Sequence, residues 1–496
     1  MPIVVQGSSA AMRLSELLSG TPDAVLTGPD RDIAVLTLDS RKVQVGSAFF
    51  ALPGAVVDGA KFAGAAVASG AVAVVAGKDA GIDAGGLGSA TLVRVDDPRR
   101  ALALAAAKFC GRQPETIAAV TGTSGKTSIV TFLRQIWAAG GYSAASIGTV
   151  GVVAPGVSGY GGLTTPDSIA LHETLAELAD KGVTHAAMEA SSHGIEQRRL
   201  DGVRLGAAGF TNLSRDHLDY HPTMEDYLAA KLRLFDTLLP DVGVVVIDAD
   251  EPTAAPVAAA ARKRGLKLMT VGRAGEAIRL ERVETARLSQ YLTVDCGDGR
   301  FEVTLPMAGV FQVSNALVAA GLAIATGMTP RKAVEAIGKL EGAEGRLQPA
   351  MSEGKGASVF IDYAHKPGAI RSTLESLRPF TTGKLIAVIG AGGDRDPGKR
   401  ELMGEAAAEM ADVVIVTDDN PRSEDPALIR KAVLKGAPDA KEIGDRREAI
   451  HAAIAMMEKG DVVIIAGKGH ETGQLVAGVM HPFSDLETAR EALGEE

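Results

Sequence analysis

Residues Val120-Thr121-Gly122-Thr123-Ser124-Gly125-Lys126-Thr127-Ser128 follow an apolar run at 117–120 and open a helical pattern, so this part of the chain must form a strand, a tight loop and a helix. Such a loop binds phosphate. Its glycines let backbone amides approach an anion, and the helix N-terminus adds its positive end. Lys126 can reach the β- and γ-phosphates, and the Thr127 hydroxyl can ligate Mg²⁺. A nucleoside triphosphate is the expected ligand. The common G-x-x-x-x-G-K-[ST] pattern would require glycine where this chain has Val120. The shorter Gly122-x-x-Gly125-Lys126-Thr127 spacing argues against an ordinary switch GTPase or motor ATPase, and on the motif alone a plain strand-to-helix turn stays open.

At 496 residues the chain exceeds the size at which a single core keeps growing, so two to four domains are expected. Its net charge of -10 gives no general attraction for nucleic acid or acidic membranes; any anionic ligand must be held by local arginines, lysines and helix ends. Cys110 and Cys296 are too few for a disulfide framework and lack metal-ligand spacing, which suits a reducing compartment, the cytoplasm. The first 18 residues lack a basic segment ahead of an apolar one, and the most apolar stretch, 62–77, is too short to span a bilayer. Neither nucleic acid nor membrane is expected as a partner, and a monomer is expected.

Three blocks follow one another. Residues 14–108 mix β-rich runs at 34–38, 48–52 and 71–75 with a helical stretch at 60–69, which reads as a small α/β domain. Its Asp39-Ser40-Arg41 follows a strand, where it could meet a ligand or form a solvated turn. From 112 to 340, strands at 117–120, 186–189, 207–211 and 242–248 alternate with helical patterns, as in a largely parallel, doubly wound sheet whose ligands gather at the carboxyl ends of the strands. Residues 291–305, with a Gly-Asp-Gly turn, read as an inserted hairpin. From 345 onward, strands at 359–363, 385–389, 413–417 and 462–466 suggest a Rossmann-like domain. Its Gly390-Ala391-Gly392-Gly393-Asp394-Arg395 has arginine where G-x-G-x-x-G needs its third glycine, which disfavours a nicotinamide cofactor and favours a charged ligand near Arg395. The expected α/β architecture has three domains, at 1–111, 112–342 and 343–496.

Glu189 ends a buried-type strand, with Ser191, Ser192 and His193 in the loop beyond it. One hydroxyl at Thr127 and one carboxylate at Glu189 suffice for Mg²⁺, which keeps several waters while binding substrate phosphates. A salt-bridged strand end is the alternative. The polar cluster Asn212-Leu213-Ser214-Arg215-Asp216-His217-Leu218-Asp219-Tyr220-His221 follows another strand, and Lys231 lies on the helical pattern 224–234. The spacing is not that of a tetrahedral zinc site, and hydrogen-bonded structural groups remain an alternative.

Taken in order, TGTSGKTS, MEASSHG, FTNLSRDHLDYH with the following AAK, GRLQ at 345–348, DYAHKP at 362–367, GGDRDPGKR at 392–400, DDNPR at 418–422 and AGKGHE at 466–471 make the chain resemble, over essentially its whole length, the Mur ligase family. These are the ATP-dependent amino-acid-adding enzymes of peptidoglycan precursor synthesis. The resemblance is to the members that add the third residue to UDP-N-acetylmuramoyl-L-alanyl-D-glutamate. Asp419-Asn420-Pro421-Arg422 resembles their meso-diaminopimelate-specific form. The chemistry agrees, because diaminopimelate carries a second carboxylate that lysine lacks. The Arg422 guanidinium can grip it bidentately while Asn420 supplies amide hydrogen bonds, and an arginine left unpaired would reject lysine.

What the resemblance implies is a phosphoryl transfer from ATP to the D-glutamate carboxylate, followed by attack of the amine on the acyl phosphate. Lys231 corresponds to the family's carbamylated lysine, a ligand for a second Mg²⁺ with His217 nearby. Asn315, Arg346 and Asp362, with Tyr363 and His365, fall at ATP-site positions. Ser40, Thr164, Thr165, Ser191, Gln197 and Arg199 fall on the nucleotide-sugar side, and Arg395, Asp419, Asn420, Pro421, Arg422, Gly467 and Glu471 surround the diaminopimelate, with Glu471 suited to its ammonium. Rival readings are the lysine-adding form, a folylpolyglutamate synthetase on a similar scaffold, and a nucleotide-dependent switch or binding protein without ligase activity. A dehydrogenase is the weakest of them.

Overall fold

Strands rich in Val, Ile and Ala and buried on both faces favour parallel pairing between covering helices, and the middle of the chain is built this way. The structure is a computed structural model that describes residues 11–54, 57–159, 163–217, 220–286, 288–350 and 356–494. Residues 1–10, inspected above for a targeting signal, and Leu218 and Asp219 of the polar cluster lie outside the described residues. Among the described residues no helix is long and apolar enough to cross a membrane.

The central sheet runs, edge to edge, Val157–Gly159, Gly151–Ala154, Ala144–Gly148, His185–Glu189, Thr116–Thr121, Leu205–Phe210, Val244–Asp248, Lys267–Gly272, Ile278–Ala286, Ser289–Asp295 and Arg300–Leu305. The strands from Ala144–Gly148 to Ile278–Ala286 are parallel, and antiparallel pairs close both edges. On one face Ala118, Val120 and Val246 pack with Phe132, Trp137, Leu317 and Leu322. On the other, Ile117, Ala119, Met188 and Phe210 pack with Leu171, Leu175 and Phe235. The hairpin expected at 291–305 exists, but it continues the main sheet through Ile278–Ala286 instead of standing apart as an insertion.

The first sheet has the order Val25–Thr27, Thr91–Val95, Ala71–Gly77, Ser47–Ala51, Val35–Thr37, parallel except for its first pair. The helical stretch expected at 60–69 divides into a 3-10 turn, Gly59–Phe62, and a short helix, Ala63–Ala68. The last sheet has the order Gln348–Pro349, Ser358–Asp362, Val462–Ala466, Leu385–Ala391, Val413–Asp418, Lys441–Glu442, again parallel except for the first pair.

The passage between the central and last sheets is fixed at both ends. Gln135 Nε2 donates to the Glu341 carbonyl at 3.0 Å, and Glu341 N donates back to Gln135 Oε1 at 2.8 Å. Gly345 sits at φ +64°, and a Cβ there would come within 2.3 Å of His470 N, so glycine is required. The Gly345 carbonyl accepts from Tyr363 N at 2.9 Å, and its own N donates to Gln348 Oε1 at 2.8 Å.

Candidate active site

Strand Thr116–Thr121 lies between His185–Glu189 and Leu205–Phe210, so the loop leaving it opens where the chain turns to opposite sides of the sheet. Two glycines are sterically obligatory there. A Cβ on Gly122 would lie 1.7 Å from Thr211 Oγ1, and one on Gly125, at φ +86°, 2.6 Å from Asn315 Oδ1. Asn212 braces the loop: its carbonyl accepts from Thr123 N at 2.8 Å and its Oδ1 from Ser124 N at 3.1 Å. The Thr123 hydroxyl accepts from Ser214 N at 3.0 Å and lies 3.2 Å from the Tyr227 hydroxyl. Lys126 folds back and donates to the carbonyls of Gly122 and Thr123, both at 2.9 Å, and burial pushes its pKa down. Ser128 is buried in the helix that follows. Asn315 is mid-helix yet buried, its Nδ2 donating to Gln312 Oε1 at 2.9 Å.

Thr127 Oγ1 donates to Glu189 Oε1 at 3.0 Å. The same carboxylate accepts from Thr149 N at 2.8 Å and Thr149 Oγ1 at 3.2 Å, an approach possible because residue 148 is glycine: a Cβ there would lie 2.2 Å from Glu189 Oε1. Arg346 brings Nη2 to 3.3 Å from Thr127 Oγ1, and its guanidinium stacks on the Tyr363 ring at 4.5 Å. One hydroxyl and one carboxylate facing each other are hard oxygen donors of the kind Mg²⁺ takes, leaving positions for water and phosphate. Among the described residues no group of three or more His, Cys, Asp or Glu could hold a metal alone.

Lys231 is fully buried, donates to the Gly122 carbonyl at 2.7 Å and lies 4.2 Å from the Tyr227 ring centroid. Burial, and secondarily Lys126, lower its pKa well below the usual amine value. His217, at φ +52°, has Nε2 3.4 Å from Asp216 Oδ2 and its ring 4.8 Å from that of His193; burial takes its pKa down to about 4. Lys366, arriving from the last sheet's side, forms an ion pair with Asp216 Oδ2.

The residues expected on the nucleotide-sugar side form one network except for Ser40. Thr165 Oγ1 donates to the Glu189 carbonyl at 2.9 Å and accepts from Ser191 N at 3.0 Å. The Thr164 hydroxyl lies 3.1 Å from the Thr149 hydroxyl. Arg199 donates to the Thr165 carbonyl at 2.6 Å and to Gln197 Oε1 at 2.7 Å. Pro166 is followed by Asp167, whose Oδ1 caps the helix Ser168–Asp180 by accepting from Ile169 N and Ala170 N. Ser40 starts a 3-10 turn on the first sheet, where hydrogen bonds from Arg41 hold the Asp39 carboxyl down to about 2.

Asp362, expected at an ATP-site position, is held by the backbone around it. Its buried carboxylate turns inward, accepting from Leu347 N at 2.7 Å and Ala364 N at 2.8 Å, so it fixes the backbone beside Arg346. His365 Nδ1 is engaged with the Tyr363 carbonyl at 2.7 Å, and burial takes its pKa down to about 3.

Around the last sheet, the glycine-rich loop has a reason other than a dinucleotide. A Cβ on Gly392 would lie 2.8 Å from Arg422 Nη1, and one on Gly393 2.0 Å from the Pro421 carbonyl. Arg422, at φ +54°, donates to the Gly393 carbonyl at 2.7 Å. Asp419, Asn420 and Pro421 are buried beneath it, and Arg395 is exposed. Gly467, at φ +120°, would clash with Asp419 Oδ2 if it carried a Cβ. Glu471 Oε2 accepts from Asn420 Nδ2 at 2.9 Å, and burial raises its pKa. Three residues not singled out from the sequence belong to these sites. Lys366 and Lys468 lie inside quoted motifs, whereas Thr149 carries no local signal.

A phosphate loop on a parallel sheet, met by an arginine from the edge of a second Rossmann-like sheet, defines a multidomain protein of the phosphate-loop class. Residues 32–109 match the model described as "Mur ligase family, catalytic domain", 120–323 the "Mur ligase middle domain", and 345–469 the "Mur ligase, glutamate ligase domain". The chain belongs to the Mur ligase family. Over 484 residues, 98% of this chain and 99% of the relative, it is 56% identical to UDP-N-acetylmuramoyl-L-alanyl-D-glutamate--2,6-diaminopimelate ligase of Mesorhizobium japonicum. The protein of that name from Rhizobium meliloti is 57% identical over 463 residues, 93% of this chain and 94% of its own. A solved structure of a UDP-N-acetylmuramoyl-L-alanyl-D-glutamate--2,6-diaminopimelate ligase superposes with a TM-score of 0.70 at 33% identity, covering 98% of this chain and 99% of that one.

Proposed function

We propose that this chain is an ATP-dependent ligase that joins meso-2,6-diaminopimelate to the D-glutamate carboxyl of UDP-N-acetylmuramoyl-L-alanyl-D-glutamate, releasing ADP and phosphate, in cytoplasmic peptidoglycan precursor synthesis. The observation that carries this reading is the Thr127–Glu189 pair on the phosphate loop with Arg346 brought to it from the other side of the domain border. The full-length likeness to ligases of that name supports the choice of substrates.

The D-glutamate carboxylate attacks the γ-phosphorus of ATP, forming an acyl phosphate and releasing ADP. The amine then attacks the acyl carbon, forms the amide and expels phosphate. Lys126, released from its own loop carbonyls, and Arg346 spread the negative charge that develops on the phosphoryl oxygens. Thr127 and Glu189 would hold Mg²⁺, which when bound neutralises triphosphate charge. Lys231, a buried amine whose charged form is disfavoured by burial, is chemically suited to take up CO₂ as a carbamate and so become an anionic ligand; uptake of isotopically labelled CO₂ at Lys231 tests this. Arg422 and Arg395 serve the second carboxylate of diaminopimelate, and Glu471 its ammonium. No covalent enzyme nucleophile is needed, and much of the rate comes from holding two reactants from different domains in line.

The test is ADP and phosphate release with UDP-N-acetylmuramoyl-L-alanyl-D-glutamate, ATP and Mg²⁺, comparing meso-diaminopimelate with L-lysine and weighing the product. Turnover with diaminopimelate alone is expected. Turnover with lysine would transfer the protein to the lysine-adding form, and amine-independent ATP hydrolysis would favour the switch reading.

A further inference from the structure

Lys468 is fully buried in the loop after Val462–Ala466, and the reaction above makes no use of it. Its Nζ donates to Asn420 Oδ1 at 2.9 Å and to the Gly473 carbonyl at 2.7 Å, and it lies 3.6 Å from Glu471 Oε2. Asn420 Oδ1 accepts a second hydrogen bond, from Leu475 N at 2.9 Å. An ammonium and a backbone N–H can only donate, so the atom on which both converge must be the amide oxygen. The amide nitrogen is thereby turned to Glu471 Oε2, at 2.9 Å. One of its two hydrogens is used there, and the amide oxygen has both lone pairs filled.

We propose that Lys468 is a positioning residue for selection of the amine substrate: it locks the Asn420 amide so that this side chain offers the site a donor and never an acceptor. Asn420 then reads a carboxylate and opposes an ammonium or amide N–H at the same place. The Lys468 cation also balances Glu471, which keeps a carboxylate available for the substrate's ammonium in a largely desolvated pocket. This inference rests on the amino-acid site assigned above. Its second anchor is the hairpin Gly473–Val476 with Val479–Pro482, which Lys468 holds through Gly473 and which supplies Leu475 N.

The experiment is a double-mutant cycle on the full-length enzyme, reading KM for meso-diaminopimelate, KM for ATP and kcat in Lys468→Met, Asn420→Ala and the double variant. If Lys468 acts through Asn420, Lys468→Met raises the diaminopimelate KM about tenfold with the ATP KM unchanged, the size of one lost hydrogen bond to a charged group. The double variant is then no worse than Asn420→Ala. An unaltered diaminopimelate KM, or equal effects of Lys468→Met in both backgrounds, overturns the proposal. Should Lys468→Met fail to fold, Asn420→Asp decides: it keeps an oxygen for Lys468 and Leu475 but loses the N–H, so a raised diaminopimelate KM is expected and a wild-type value overturns the proposal. A wild-type enzyme inactive on diaminopimelate defeats the functional reading and this inference together; an active wild type with an unaltered Lys468→Met defeats the inference alone.

Discussion

Arg346 places a guanidinium nitrogen 3.3 Å from the hydroxyl of Thr127, a residue 219 positions earlier in the chain. One hydroxyl thus lies between a cation from one domain and the Glu189 carboxylate of another, 3.0 Å away. Thr127→Ala removes the group that both partners address and is expected to lower kcat about 10²–10³-fold, the size typical of losing one preorganised transition-state contact. Thr127→Ser should retain most activity. ADP release at saturating substrates measures both, and an Ala variant as active as the Ser variant would remove Thr127 from the site.

Lys366 and Asp216 join the same two domains beside the phosphate loop. Cutting Lys366 back to alanine leaves the largely buried Asp216 carboxylate facing an incoming triphosphate. Lys366→Ala should therefore raise the ATP KM, and adding Asp216→Asn should recover part of the loss. Purely additive losses in ATP titrations would show that the pair is not coupled.

Arg422 is held on the Gly393 carbonyl, and the proposed function assigns it the second carboxylate of the amine substrate. Arg422→Ala should raise the diaminopimelate KM by about tenfold or more while leaving the ATP KM alone. An unchanged diaminopimelate KM excludes Arg422 from the clamp.

Arg446 and Asp485 are fully buried and bidentate, with Nε to Oδ1 and Nη2 to Oδ2 both 2.7 Å. Asp485→Ala strands a guanidinium in the core and should cost about 3–5 kcal/mol in urea unfolding. The double variant Arg446→Met with Asp485→Leu should be the more stable of the two, because it removes both charges.

His172 is fully buried and donates toward the Asp201 carbonyl at 3.1 Å; burial lowers its pKa to about 4 from the usual 6.5. Between those values the unfolded chain binds a proton that the native state does not. Stability from this site is therefore whole above about pH 6.5 and is lost as pH falls toward 4, at up to about 1.4 kcal/mol per pH unit. Denaturant melts at pH 7 and pH 5 should show the decline, and His172→Gln should make it shallower by this site's share, the part due to His217 and His365 remaining.

Strands with β-branched runs, such as Val244–Asp248 and Val413–Asp418, were legible in the sequence, as were the alanine-rich runs at 186–189 and 207–211 that lead into polar loops. Ala144–Gly148 was illegible because its sequence, AASIG, has little strand propensity and gains its place by burial between two neighbours. The phosphate loop was legible because its glycines, lysine and hydroxyl are consecutive. Thr149 was not, since its value to Glu189 depends on an approach that Gly148 permits only in the fold. The inward turn of Asp362 follows from two backbone amides that no motif displays. Resemblance supplied Asn315; a polar residue in the middle of an apolar helix otherwise gives no hint that it meets a glycine of the loop.

The grip of Gln135 on Glu341 and the seat of Gly345 against Gly469 and His470 leave residues 342–344 as the stretch of connecting chain not anchored in this way to either body. Any swing of the last domain must turn about this pivot. Arg346 and Glu471 both lie beyond it and are tied to each other through the Gly345 seat, so neither can travel without the other. The arm at the phosphate loop and the wall assigned to the amine therefore belong to one body, so the arginine seated at Thr127 also sets where that wall stands.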